Sequence, residues 1–245
     1  MRTFSVSKEI AILMLKADKI AAFRIYLAIK YYMAGKGNDF SQLAKELGLK
    51  VKYVEQKLAQ LEKLGLMERK RNGWWFVVGT DRWCENNGIK YTTLVYTNET
   101  ILHNIKILRN FIRSIQITMA GRAVRAAQRT KSANSREQRI PLSNSFLSRY
   151  MDVGERTVKR HKGIAKKNGF LLFKQRYTIL KKGTYSDIPE WKEYRSSPSH
   201  VIRVIFGKIY LCDQLPSTLE YSILYKNRRT YQSKLNQSSQ NQGAI

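Results

Sequence analysis

The sequence predicts an α+β fold, mainly helical, in which one three-helix unit ending in a β-hairpin occurs twice. Three observations carry this expectation. Apolar residues recur at spacings of three and four through most of residues 17–64, the period then shortens to two around Asn72-Gly73, and the same pattern returns 104 residues later. The chain has 245 residues, 43% of them hydrophobic and 11% aromatic, which is enough for packed cores and fits one large or two small domains.

From Ala17 to Met33, the residues Ile20, Phe23, Leu27 and Tyr31 line one face of a helix that stops at Gly35 and Gly37. Asp39, with Gln42 three positions on, forms a capping-box pattern for a short helix that buries Phe40, Leu43, Ala44 and Leu47. Gly48 permits a tight turn. A third helix over 51–64 points Val54, Leu58 and Leu61 inward at i, i+4 and i+7 and keeps Lys52, Tyr53, Gln56, Lys57 and Gln60 on the opposite side. Gly65 is its C-cap. Alternation over 66–70 and 74–78, joined at Asn72-Gly73, predicts a hairpin with a type I′ turn and a basic tip at Arg69, Lys70 and Arg71. Trp74 and Trp75 are assigned to core and hairpin packing rather than to base stacking.

In the second copy Leu43 aligns with Leu147, Leu47 with Met151, Leu49 with Val153, Val54 with Val158, Lys63 with Lys167 and Gly65 with Gly169. The core leucines Leu58 and Leu61 align with Lys162 and Ala165, so a shallower or shifted third helix is expected there. A long helix over 98–129 precedes this copy, with Ile101, Ile105, Leu108, Ile112, Ile115 and Met119 as a near-heptad stripe, read as the first helix of the second domain. Residues 201–212 read as a further hairpin around Gly207-Lys208, ended by Pro216. The expected layout is a first domain at 1–80, a linker at 81–97, a second domain at 98–215 with the extra hairpin, and a basic, polar, largely disordered tail at 216–245.

Charge sharpens the functional expectation. The formal net charge is +27, and residues 103–182 hold 20 basic residues against 3 acidic. A compact fold this positive repels itself unless a polyanion is its usual partner. The two cysteines, Cys84 and Cys212, make neither a disulfide framework nor a four-ligand zinc site, and a reducing cytoplasm, as of a bacterial cytoplasm or nucleoid, is the expected compartment. No signal-peptide pattern or apolar run of membrane-spanning length is expected. No metal, cofactor or small-molecule site is suggested, and phosphate-loop and HExxH motifs are absent from the text. His200-Val201-Ile202-Arg203, with Tyr231 beyond it, matches a recombinase HxxR fragment, but the companion Gly-His motif is missing, so no enzyme is expected.

The texts SQLAKELGLKVKYVEQKLAQLEKLGLMERKRNGWWFVV and LSNSFLSRYMDVGERTVKRHKGIAKKNGFLLFKQRYTIL both resemble the winged helix-turn-helix superfamily. The resemblance implies two tandem domains with β-hairpin wings, each laying its recognition helix in a major groove of double-stranded DNA, with two unlike half-sites roughly one helical turn apart. The implied DNA contacts of domain two are Arg156, Thr157, Lys159, Arg160, Lys162, Lys174 and Arg176, with Arg156 and Arg160 reading bases and Lys159 and Lys162 holding phosphates. Those of domain one are Lys52, Tyr53, Gln56, Lys57, Arg69, Lys70 and Arg71. Arg122, Arg125, Arg129 and Lys131 make a basic segment suited to phosphates. Glu46, Glu55, Gln56 and Glu62 become Tyr150, Lys159, Arg160 and Lys166, so domain two is expected to supply most of the affinity. The layout is similar to replication initiators of plasmids and phages, with Phe4-Ser5-Val6 as a leading strand. A transcriptional regulator of the same fold and a non-specific nucleic-acid-binding protein are the alternatives. A second copy of the chain and proteins of the replication or transcription machinery are further partners of such a protein.

Overall fold

The computed structural model describes residues 3–89, 93–129, 140–193, 197 and 199–222. It is a mixed α/β structure with small antiparallel sheets, and it divides into two units, residues up to 116 and residues 117–222.

In the first unit, strand β1 (Thr3–Ser7) pairs antiparallel with β5 (Leu94–Asn98), from Thr3 opposite Asn98 to Ser7 opposite Leu94. Ser7 caps helix α1 (Lys8–Lys16), its Oγ accepting from the Ile10 amide at 3.3 Å. The chain turns through Asp18, at φ 51°, into α2 (Ile20–Tyr32). The expected helix over 17–33 is therefore α2, starting three residues later, and α1 is an additional element. Phe23, Ile25, Tyr26, Leu27, Ala28 and Ile29 are all buried, so α2 is enclosed nearly all round as the central helix of this unit.

Strand β2 (Lys36–Gly37), helix α3 (Ser41–Leu47), helix α4 (Val51–Lys63) and the hairpin β3 (Met67–Arg69) and β4 (Trp75–Val77) follow, with sheet order β2-β4-β3. Two local expectations are corrected. Asp39 does not cap through a capping box; Phe40 is the N-cap residue, and the Asp39 carboxylate instead accepts from the Ser41 amide at 2.8 Å. Hydrogen bonding from the Ser41 hydroxyl, and then from this amide, holds its pKa below the ordinary value. The hairpin turn is not type I′. Gly73 has φ 83° while Asn72 stays at negative φ, Lys70 N–H donates to Trp74 O and Gly73 N–H to Lys70 O, so three residues bridge the strands. Trp74 and Trp75 are half-buried on the hairpin rather than part of the core.

The expected linker at 81–97 is replaced by structure. Helix α5 (Thr80–Asn86) buries Trp83 and Cys84, and β5 completes the β1 ribbon. The long helix expected over 98–129 is broken. A short α6 (Thr100–His103) ends at Asn104, whose backbone is extended and whose Oδ1 accepts from the Lys106 amide, and α7 (Ile105–Arg129) starts there. Ile105 is consequently exposed, while Leu108, Phe111, Ile112, Ile115, Ile117 and Ala120 are buried. The unit boundary falls inside α7, at 116/117, not at residue 98.

The second unit continues with β6 (Ile140–Pro141), α8 (Asn144–Met151), α9 (Glu155–Lys167), β7 (Leu171–Gly183), α10 (Ile188–Glu193), β8 (His200–Ile205) and β9 (Lys208–Ser222). Strand β9 has β7 on one edge and β6 and β8 on the other. The strand after α9 thus finds its partner 26 to 51 residues on, with α10 and β8 inserted between them. Pro216 does not end this hairpin. It lies inside β9 beside an irregularity opposite Lys174 and Arg176, the setting in which a strand tolerates a residue without an amide hydrogen. The tail expected at 216–245 therefore begins as strand, and residues 223–245 lie outside the described residues.

Candidate nucleic-acid interface

The internal repeat extends to individual hydrogen bonds. Helices α4 and α9 occupy the same thirteen positions 104 residues apart. At the turn before them, Leu49 N–H donates to Ala44 O at 2.8 Å and Val153 N–H to Ser148 O at 3.1 Å. At their starts, Val54 N–H reaches Lys50 O and Val158 N–H reaches Gly154 O; at their ends, Leu66 N–H reaches Leu61 O and Phe170 N–H reaches Ala165 O. Each position is the other plus 104. The left-handed residue in the turn is Gly48 in one copy and Asp152 in the other, and the helix ends turn at Gly65 and Gly169.

Arg24 fixes the first turn in a way the sequence did not reveal. Its guanidinium donates to the Leu47 carbonyl at the end of α3 (3.1 Å) and to the Leu102 and His103 carbonyls at the end of α6. One cation thereby serves two sets of helix-end carbonyls.

The helical period sorts α4 and α9 into faces. Val54, Leu58 and Leu61 are buried in α4, and Val158, His161 and Ala165 in α9. The second copy thus takes its inward step at i+3 (His161) rather than i+4 (Lys162), which is the register change expected from losing a leucine. Lys52, Gln56, Ala59 and Lys63 then share the outward stripe of α4, and Arg156, Arg160, Gly163 and Lys167 that of α9, all exposed. Lys63, Lys167 and Gly163 were missing from the sequence-derived set. Extending the stripe by i+7 and i+11 from Lys52 and Arg156 finds them.

The remaining predicted residues are placed less uniformly. Tyr53 and Lys57 lie on the flank of α4, with the Lys57 ammonium 5.0 Å from the Tyr53 ring centroid and 3.2 Å from Gln60 Oε1. On the first hairpin, Arg69 lies over Trp75 at 5.6 Å, Lys70 is paired with Glu68 at 3.3 Å, and Arg71 is exposed. Arg82 also reaches Glu68, at 3.1 Å, so this hairpin is partly neutralised by its own acid. Thr157 is half-buried on the flank of α9, Lys159 is exposed, and Lys174 and Arg176 are exposed at alternate positions of β7. Arg122 is exposed on α7; the side chains of Arg125 and Arg129, and all of Lys131, lie outside the described residues.

Lys162 is the clear correction. Its ammonium donates to the Leu142 carbonyl (3.3 Å), Asn144 Oδ1 (3.2 Å) and Ser217 Oγ, and sits 4.6 Å from the Phe173 ring centroid, tying α9 to β6 and β9 rather than reaching for phosphate. Burial pushes its pKa down to about 8. The unfolded chain keeps its proton up to the ordinary value near 10.5, so raising the pH through this window favours the native state through this one group. Wild-type protein is therefore expected to gain denaturation midpoint relative to Lys162→Met between about pH 8 and 10.5. Parallel pH profiles for the two proteins would refute the buried-ammonium assignment.

The HxxR fragment assembles no recombinase site among the described residues. His200 lies opposite Asp213 in the β8–β9 ladder, Arg203 stacks 4.4 Å from the Tyr177 ring centroid, and Tyr231 is outside the described residues. Among the described residues no group of three or more His, Cys, Asp or Glu is placed to hold a metal ion, and no helix is long and apolar enough to cross a membrane. Both cysteines are buried and neither is in a disulfide. The chain matches no protein-family model, and no curated protein or solved structure is significantly similar to it.

Proposed function

We propose that this chain is a sequence-specific double-stranded DNA-binding protein of the winged helix-turn-helix class, with two such domains in tandem. The observation that carries the reading is the repeated helix, turn and helix, in which the backbone bonds of the turn and the second helix's ends recur at an offset of 104 and the outward stripe of the second helix carries cations in both copies. Within that class we read it as a replication initiator of a plasmid, phage or other mobile element, because two unlike readers stand in one chain behind a leading strand β1. Arg156, Arg160 and Lys167 give α9 three cations on its outward stripe, against Lys52 and Lys63 on α4, so the second unit is the main source of affinity.

Selection of bound sites from a random duplex library with the full chain tests this reading. Enrichment of a bipartite site with two different halves is the expected result. Equal binding of enriched and random duplexes at physiological salt would remove the sequence-specific reading and leave non-specific nucleic-acid binding in its place.

Gly163 gives a sharper check. It lies mid-helix on the outward stripe, where an added Cβ meets nothing within 4 Å, so folding alone has no use for glycine there. Gly163→Ala is expected to stabilise the protein by about 0.5–1 kcal/mol. Where a groove wall comes close to the helix backbone, the same methyl group obstructs it. The expected outcome is therefore a more stable protein with weaker DNA binding, measured by denaturation and gel shift on the same preparation. Greater stability with unchanged affinity would take α9 out of the groove.

A further inference from the structure

The strands β8 and β9 meet at a two-residue turn, Phe206-Gly207, with Ile205 opposite Lys208. Both turn residues have positive φ, 50° for Phe206 and 72° for Gly207. Glycine, asparagine and aspartate fill such turns without strain, whereas an aromatic residue in the left-handed region is an outlier. Phe206 is also 99% exposed, so the strained conformation gains nothing from burial. Folding explains neither feature.

The turn sits on a supported arm. On one face Trp191, Ile209 and Leu211 form a small core with Ile188 and Ile202, and any side chain at Gly183 would collide with Trp191. On the other face the register brings Lys182, Tyr210 and Arg203 into one row, since Tyr210 lies opposite both. Lys208 borders the tip directly, Arg203 stands beyond the exposed Val204 and Ile205, and no acidic residue lies between 194 and 212. The acids of the arm are Asp187, Glu190 and Glu193, on or beside α10, and Asp213, five residues along β9 from Lys208, which accepts from the Ser199 hydroxyl. From Thr218, next to the residue that Lys162 grips, back to Lys208 the strand spans roughly 33 Å, about one turn of duplex.

We infer that Phe206 is a wedge that this arm inserts between base pairs of the bound DNA, in the minor groove, so that the second unit unwinds or kinks the duplex beside its recognition site. This deepens the DNA-binding reading and rests on it. An apolar group carried between cations suits a duplex, whose phosphates hold the flanking charges while a base step opens for the ring. Charge decides against an apolar protein surface as the occupant, because such a surface would have to desolvate Arg203 and Lys208 together with the ring.

The test uses the full chain on relaxed closed-circular plasmid DNA, with topoisomerase fixing the linking number and a gel shift on the same DNA reporting binding. Phe206→Gly suits it, because the substitution relieves the backbone and removes no buried contact. The wild type is expected to lower the linking number in proportion to bound protein. Phe206→Gly is expected to bind within roughly threefold of wild type and to lose at least about four-fifths of the unwinding, and Phe206→Leu to retain most of it. Equal unwinding by wild type and Phe206→Gly, or wild-type binding without any change in linking number, would overturn the wedge while leaving DNA binding intact. Loss of self-association in Phe206→Gly with unwinding unchanged would reassign the tip to a second copy of the chain. Absence of any plasmid binding by the wild type would overturn the DNA reading and the wedge with it.

Discussion

Arg156→Ala is expected to relax base preference at one or two positions of the target while leaving binding to unrelated duplexes nearly unchanged. Arg156 and Arg160 are exposed and one helical turn apart on the outward stripe of α9, within its first two turns, where a recognition helix meets base edges. A guanidinium bonded to both acceptors of a guanine discriminates by about 1–3 kcal/mol. Lys159 is the internal control. It stands on the flank of the same helix, beside the cleft that also contains Lys166, Gln175 and Gln214, and no acidic residue pairs with it among the ion pairs of the described residues. Lys159→Ala should weaken all duplexes alike and lower the slope of log affinity against log salt by about 1. The measurement is a salt titration of both variants on the selected site and on point-mutated sites. Identical uniform losses in the two variants would mean that α9 holds DNA without reading it.

Trp83→Ala is expected to destabilise the first unit by about 3–5 kcal/mol, the largest effect of any single substitution considered. Trp83 is 2% exposed and its indole N–H donates to the Leu64 carbonyl at 2.9 Å, at the C-terminal end of α4, where a helix leaves its last carbonyls without intrahelical partners. Gly65, next in the chain, brings the backbone within reach of the same ring. Trp83 thus secures the junction between α4 and β3, and losing it disturbs α4 and the hairpin together. Trp83→Phe keeps much of the packing and removes the bond, so a smaller loss is expected, with about 1 kcal/mol from the hydrogen bond. Denaturant unfolding of the three proteins measures both. A loss under about 1 kcal/mol in Trp83→Ala would return residues 81–97 to the status of a linker.

The parts of the fold visible in the sequence are those whose determinants lie within a few residues of each other. The α4 and α9 helices, the turns before them and their glycine ends follow from periodicity and from bonds that span four or five residues, so the alignment at 104 transferred one copy's geometry to the other. The same locality explains the errors. Asp39 and Gln42 have the spacing of a capping box, but the carboxylate found the nearer Ser41 amide. Asn72-Gly73 has the composition of a type I′ turn, yet the strands closed one residue further apart.

Charge alone set the expectation of a polyanionic partner and its concentration in the second half, and local period set helices α4 and α9. Tertiary structure decided which residues belong to each unit and which cations remain outside. Strands β1 and β5 pair across some ninety residues, β7 and β9 across an inserted helix and strand, and no local pattern encodes a partner so distant. Lys162 looks like its neighbours in sequence, but three acceptors and an aromatic face converge on it from the turn after β6, α8, β9 and β7. A lysine's role depends on whether its ammonium meets water or a fixed set of oxygens, and that set is assembled only when distant segments pack.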